Sequence, residues 1–124
     1  MKRIVLPFFF ATAGLAWFAG CTKQDAKADA TQPLQQSFQT AEPKVQQAIQ
    51  TVTTSLRSKN YAEATRALAP VVTGQRLSEP QRQAVGVALQ QINQAIATDP
   101  SLDTKEMYEL RRKMFEAVHN GPRF

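Results

Sequence analysis

The chain has 124 residues, a single Cys, a single His and a formal net charge of +5 at neutral pH. That length allows one small domain with one modest core, not two domains. One Cys excludes an intramolecular disulfide framework and any multi-Cys metal cluster, and one His excludes a His-pair metal site.

Met1-Lys2-Arg3 is a short basic start, and Ile4 to Trp17 is apolar apart from Pro7, Thr12 and Gly14. Phe18-Ala19-Gly20-Cys21 follows, with small residues where a signal peptidase needs them. On residue pattern alone, a plain secretory signal and a retained anchor are the alternatives. The apolar run is at the lower limit of a membrane span, about 17 residues, and contains Pro and Gly. Ala19-Gly20-Cys21 resembles the lipobox of bacterial lipoproteins, with Phe18 where that motif more often has Leu. The resemblance implies a signal peptide over residues 1–20 and cleavage between Gly20 and Cys21. It also implies lipidation of the Cys21 thiol, so that its sulfur is a thioether and not a nucleophile. Two or three acyl chains make membrane attachment effectively permanent. Thr22 follows the Cys where Asp commonly retains such proteins in an inner membrane. By that resemblance the address is the cell envelope, at the outer membrane facing the periplasm in a Gram-negative host. Loss of Lys2 and Arg3 with the leader lowers the formal charge from +5 to +3.

Residues 22–33 hold no large apolar side chain and mix charges of both signs. Such a segment cannot offset its ordering entropy by burial. Residues 21–33 are therefore expected to be the lipidated Cys and a flexible tether, with an r.m.s. span of about 19 Å. Residues 34–124 are expected to be one helical domain. Leu34 and Phe38, at i, i+4 spacing, suit one helical turn or an arm laid on the domain surface.

The first long helix is expected from Pro43 to Ser58, with Val45, Ala48, Ile49, Val52 and Leu56 on one face. Asn60-x-x-Glu63 then reads as a capping pair. Tyr61, Ala64, Leu68 and Val71/Val72 form the apolar face of the helix it starts, Pro70 is expected to kink or stop it, and Gly74 to cap it. The next helix starts with Ser78 as N-cap, Pro80 in the first turn and Gln81 at the box position. Val85, Ala88, Leu89, Ile92, Ala95 and Ile96 line one face, and Gly86 suggests a close helix crossing. Asp99-Pro100 ends it. Asp103-x-x-Glu106 is expected to box the start of the last helix, with Leu102 and Met107 at staple spacing. Met107, Leu110, Met114 and Val118 form its face, with Phe115 beside it, and Asn120-Gly121-Pro122 is a stop. No segment alternates with period two, so the fold class is all-α: about four helices in antiparallel hairpins.

Lys59-Asn60-Tyr61-Ala62-Glu63-Ala64, with Leu68 four residues on, resembles the middle of a tetratricopeptide repeat. Tyr61, Ala64 and Leu68 match that repeat; Lys59 replaces its Gly and Asn60 its Asp. The pattern does not recur thirty-four residues later, where Ala95 and Thr98 stand. The resemblance covers one repeat unit and implies helix hairpins packed side by side. A generic small helical bundle is the alternative, since short connections imply antiparallel neighbours.

No catalytic constellation is present: there is no nucleophile elbow and no Gly-rich phosphate loop. His119, in the last helical turn, is read as a partner of the helix dipole. Glu106 and Glu109 are read as a solvated pair. No enzyme activity, cofactor or metal is expected. The export signal and the lack of interleaved aromatics argue against nucleic acid. The positive excess sits at residues 44–98, where six cations face Glu63 and Glu79. Arg57, Lys59, Arg66, Arg76 and Arg82 are its candidate basic interaction patch, with ordinary solubilising charge as the alternative. Fourteen Gln residues are present. Gln46, Gln47 and Gln50, with Gln90, Gln91 and Gln94, put amides on the exposed faces of two long helices, a groove for a glycan or peptide if those faces meet. The leading expectation is a lipid-anchored, non-enzymatic helical adaptor for a protein partner in the envelope. A small-ligand or glycan-binding lipoprotein and a purely structural one are the alternatives.

Overall fold

The computed structural model describes residues 27–120. They form five α-helices: α1 (Thr31–Ser37), α2 (Pro43–Arg57), α3 (Tyr61–Thr73), α4 (Glu79–Thr98) and α5 (Lys105–Asn120), with a short 3-10 turn at Pro100–Leu102. No strand occurs among the described residues. The domain is an all-α bundle with one more helix than the periodicity suggests. The calls on Gly20, Cys21, Thr22 and the stop at Gly121-Pro122 fall outside the described residues.

The tether does not reach Pro33. Ala30 and Leu34 are fully buried and Phe38 nearly so. Each large side chain of that kind stabilises the fold by about 2–3 kcal/mol on burial. Two flanking devices hold the segment. The Asp29 carboxylate accepts from the Thr31 N–H at 3.0 Å and from its hydroxyl at 2.7 Å. The Gln94 and Gln91 side-chain oxygens accept the backbone N–H groups of Ala28 and Ala30, both at 2.9 Å. Low hydrophobicity in residues 22–33 hid this, because the segment is held by hydrogen bonds and by apolar residues just beyond it.

α2 begins with Pro43 at its first turn, where the missing N–H costs nothing. Val52, Thr53, Ser55 and Leu56 are buried on its inner face. Four consecutive residues, Thr51 to Thr54, are β-branched and poor helix formers, so packing holds this helix more than propensity does. It ends in a two-bond cap. The Asn60 N–H donates to the Ser55 carbonyl at 2.8 Å and the Lys59 N–H to that of Leu56 at 3.2 Å. Lys59 takes the left-handed conformation this cap requires, φ 62°. Asn60 then caps α3 through the Glu63 N–H, as its spacing suggests.

α3 passes through Pro70 and runs to Thr73, so Pro70 neither stops it nor ends its packing. Pro70 is exposed, and water can satisfy the carbonyl its ring leaves without a donor. Gly74 follows because the chain approaches itself closely there: a Cβ would lie 2.7 Å from the Pro70 carbonyl oxygen. The box at the start of α4 forms, with Ser78 and Gln81 exchanging bonds. The crossing expected at Gly86 does not occur, since a Cβ there meets nothing within 4 Å. The box expected at Asp103 and Glu106 does not form either. The Thr104 hydroxyl caps α5 by accepting the Met107 N–H at 3.2 Å, and both carboxylates serve ion pairs elsewhere.

α2 and α3 form a closely packed hairpin, and α5 packs chiefly on α3. α1 lies between α2 and α4, which pack on it. One core joins all five helices, from Leu34 and Phe38 through Val52, Leu68 and Ile92 to Met114. α5 leans on α3 more than on α4, and that asymmetry opens the cleft described next.

Candidate functional site

The expected basic patch is not gathered. Lys59 and Arg76 stand at opposite ends of the 13-residue α3, about 20 Å apart along its axis. Arg66 is committed to Glu106 through two bonds, at 2.6 and 3.2 Å. That contact holds the Glu106 carboxyl below its usual range. Arg82 reaches Glu79 at 3.5 Å. Arg57 lies close enough to Asp29 for its charge to help lower that carboxyl, although the two hydrogen bonds from Thr31 contribute more. Arg57, Lys59, Arg76 and Arg82 lie at or near helix ends, and Arg66 is cross-linked to α5.

The Gln faces do not form a groove either. α1 occupies the space between α2 and α4. Gln91 and Gln94 are turned onto the backbone of residues 28–30, and Gln46 donates to the Gln39 carbonyl at 2.7 Å. Gln47, Gln50 and Gln90 remain exposed. Gln46, Gln91 and Gln94 act as clips for the N-terminal segment.

The feature that stands out is a cleft of about 230 Å³ between α4 and α5, lined by Leu89, Asn93, Tyr108, Arg111, Arg112 and Phe115. Among the described residues, Tyr108 and Phe115 are the large apolar side chains left most exposed, each at 55%. They sit one heptad apart on α5, outside the stripe of Met107 and Met114 that enters the core. Arg111 forms one wall and is only 18% exposed. It donates to Asn93 at 2.7 Å, to Asp103 at 2.6 Å and to the Met107 carbonyl at 3.3 Å. Those bonds brace α4 and the end of the 3-10 turn against α5. Arg112 is flanked by Glu109 and Glu116, both at 2.9 Å, and its proton is held more tightly as a result. His119 stacks on Phe115 with ring centres 3.9 Å apart and planes at 27°. Its Nδ1 lies 2.9 Å from the Phe115 carbonyl. His119 thus fixes one side of the Phe115 ring.

Sequence reasoning set Phe115 beside the core stripe and passed over Tyr108. The signal was there: helical spacing puts Tyr108 and Phe115 together and off the buried face. Solvent exposure of two large aromatics marks contact surfaces, where Tyr, Phe and Arg are enriched. Among the described residues no group of three or more His, Cys, Asp or Glu is placed to hold a metal ion, and no helix is long and apolar enough to cross a membrane. The chain matches no family model, no curated protein and no solved structure.

Proposed function

We propose that this chain is a lipid-anchored envelope lipoprotein whose small helical domain is a non-enzymatic adaptor for a protein partner. The anchor rests on Ala19-Gly20-Cys21 after a basic start and an apolar run. Thr22 favours the outer membrane, facing the periplasm, where two membranes are present. The observation that carries the adaptor reading is the α4–α5 cleft, with two half-exposed aromatics and two braced guanidinium groups. Residues of this kind dominate the energy of protein contacts. The contact surface therefore moves from the scattered cations of the first helices to α5.

The arm shortens the leash. With Lys27 already beside the bundle, five residues separate it from Cys21, and the link spans at most about 20 Å. A tethered domain gains effective concentration for a partner in the same membrane, so a weak contact suffices. Cys21→Ser with cell fractionation tests the anchor: the variant should leave the membrane fraction, and its retention there would refute the lipoprotein reading. Tyr108→Ala with Phe115→Ala tests the adaptor. The pair should lose a captured protein that Arg57→Glu with Lys59→Glu retains, and the reverse pattern would return the contact to the cationic ends.

A further inference from the structure

We infer that the end of the bundle carrying the α2–α3 turn rests on the bilayer, where Lys27, Arg57 and Lys59 meet anionic lipid headgroups. The inference rests on the lipoprotein reading of Cys21 and says which end of the domain that anchor turns to the membrane.

The first argument is reach. The chain enters the bundle at a fixed point, because the Ala28 and Ala30 N–H groups donate to the Gln94 and Gln91 side chains, both at 2.9 Å. Gln94 lies one turn from the C-terminal end of α4 and fifteen residues from its first residue, Glu79, about 22 Å along the axis. Six residue steps separate Cys21 from Lys27, at most about 20 Å. Turning the α3–α4 end to the bilayer would lift the entry point by more than the link reaches. The entry end therefore stays near the headgroups.

The second argument is what stands at that end. Hydrogen bonds from Thr31 do most to lower the Asp29 carboxyl, and the charge of nearby Arg57 adds to it. The C-terminal end of α2 thus lies beside the entry point. Residues 57–60 are exposed without a break, and Lys27 is exposed at the entry. None of Lys27, Arg57 and Lys59 makes an ion pair among the described residues. Carboxylates at the same end are engaged elsewhere: Asp103 with Arg111 and Glu106 with Arg66. Asp29 and Asp99 keep their charge but direct it at the adjacent Thr31 and Ser101. Glu63, in the first turn of α3, is the carboxylate left open there.

The third argument is range. Attraction between a cation and an anionic membrane surface fades within about 8–10 Å at ordinary salt. Only cations that the anchor holds close can use it. Lys44 begins α2 and Arg76 follows α3, both at the far end of that hairpin, so they lie out of range. α5 starts at the near end, since Glu106 in its first turn is bridged to Arg66 in the second turn of α3. Its aromatic cleft then runs up the side of the bundle, open to a neighbour.

The test uses the full lipidated protein in vesicles of phosphatidylcholine, alone or with one part in four of phosphatidylglycerol. The Cys21 sulfur is then a thioether, so Ser58→Cys or Arg76→Cys supplies the thiol for a fluorescent label. Quenching by a headgroup-labelled nitroxide lipid should be several-fold stronger at position 58 than at position 76. Phosphatidylglycerol should increase it at position 58, and added salt should reverse that increase. Arg57→Glu with Lys59→Glu should abolish the increase, whereas Lys44→Glu with Lys113→Glu should leave it intact. Circular dichroism of each variant checks that it is folded. Equal quenching at the two positions, or stronger quenching at position 76, would overturn the inference. A signal at position 58 indifferent to anionic lipid or to the Arg57 and Lys59 reversals would overturn it too. The mass of the purified chain separates the two readings. A lipidated chain that fails these tests removes this inference alone, and a Cys21 without lipid removes the lipoprotein reading with it.

Discussion

Lys59, Gly86 and Asp29 each hold a backbone choice that can be weighed. Lys59 sits at φ 62° in the α2 cap, where a Cβ is strained by about 1 kcal/mol or more. Lys59→Gly should raise the urea midpoint at an unchanged slope, by about 1 kcal/mol in stability. Gly86 lies inside α4 with open space around it, so Gly86→Ala should add about 1 kcal/mol through helix propensity. A loss at Gly86 would mean that something packs on it after all. Asp29 and Glu106 contribute to the acid response. Hydrogen bonds from Thr31 lower the Asp29 pKa, and those from Arg66 lower that of Glu106. A lowered folded pKa contributes stability that is full above the unfolded value of about 4 and fades as pH falls through the lower folded value. Chemical denaturation between neutral pH and strong acid should therefore show stability declining below about pH 4. Asp29→Asn combined with Glu106→Gln should flatten that decline, and an unchanged profile would place the acid sensitivity elsewhere.

At the scale of elements, α1 decides whether the core closes. It is 7 residues long, too short to be stable alone, and it persists because Leu34 and Phe38 fill the space between α2 and α4. Phe38→Ala should cost about 3–5 kcal/mol, a large share of what a domain this size has to lose. Dye binding to newly exposed apolar surface would register it. Gln91→Ala with Gln94→Ala should loosen the arm first, seen as faster amide exchange at Ala28 and Ala30 with little change at Leu68. The long helices were legible from the sequence because their apolar spacing and caps are local: Asn60, Ser78 and Gln81 sit where their spacing puts them. α1 was half legible: the i, i+4 pair Leu34 and Phe38 suits one helical turn, but its start at Thr31 and its anchoring depend on Gln91 and Gln94, about sixty positions away. The Asp103 box failed for a related reason. Asp103 and Glu106 found Arg111 and Arg66, partners that only the folded chain brings near, and Thr104 took over the cap. The cleft was half legible, since helical spacing places Tyr108 beside Phe115 but cannot say that α5 leans away from α4.

For the whole molecule, the proposed lipidation at Cys21, the five residues between it and Lys27 and the aromatic cleft fit one arrangement. In the proposed arrangement a helical domain would be held within about 20 Å of a bilayer and would offer α5 to a neighbour. Net charge is then a matter of solubility and cross-linking, since the cations serve helix ends and ion pairs. The claim that α5 is a contact surface is tested most directly by a photo-crosslinking residue placed at Phe115 in cells, with a control at Lys113. The account predicts one discrete protein adduct from position 115, absent from position 113 and reduced when Cys21→Ser removes the anchor. No adduct at position 115, or the same set of adducts from both positions, would contradict it.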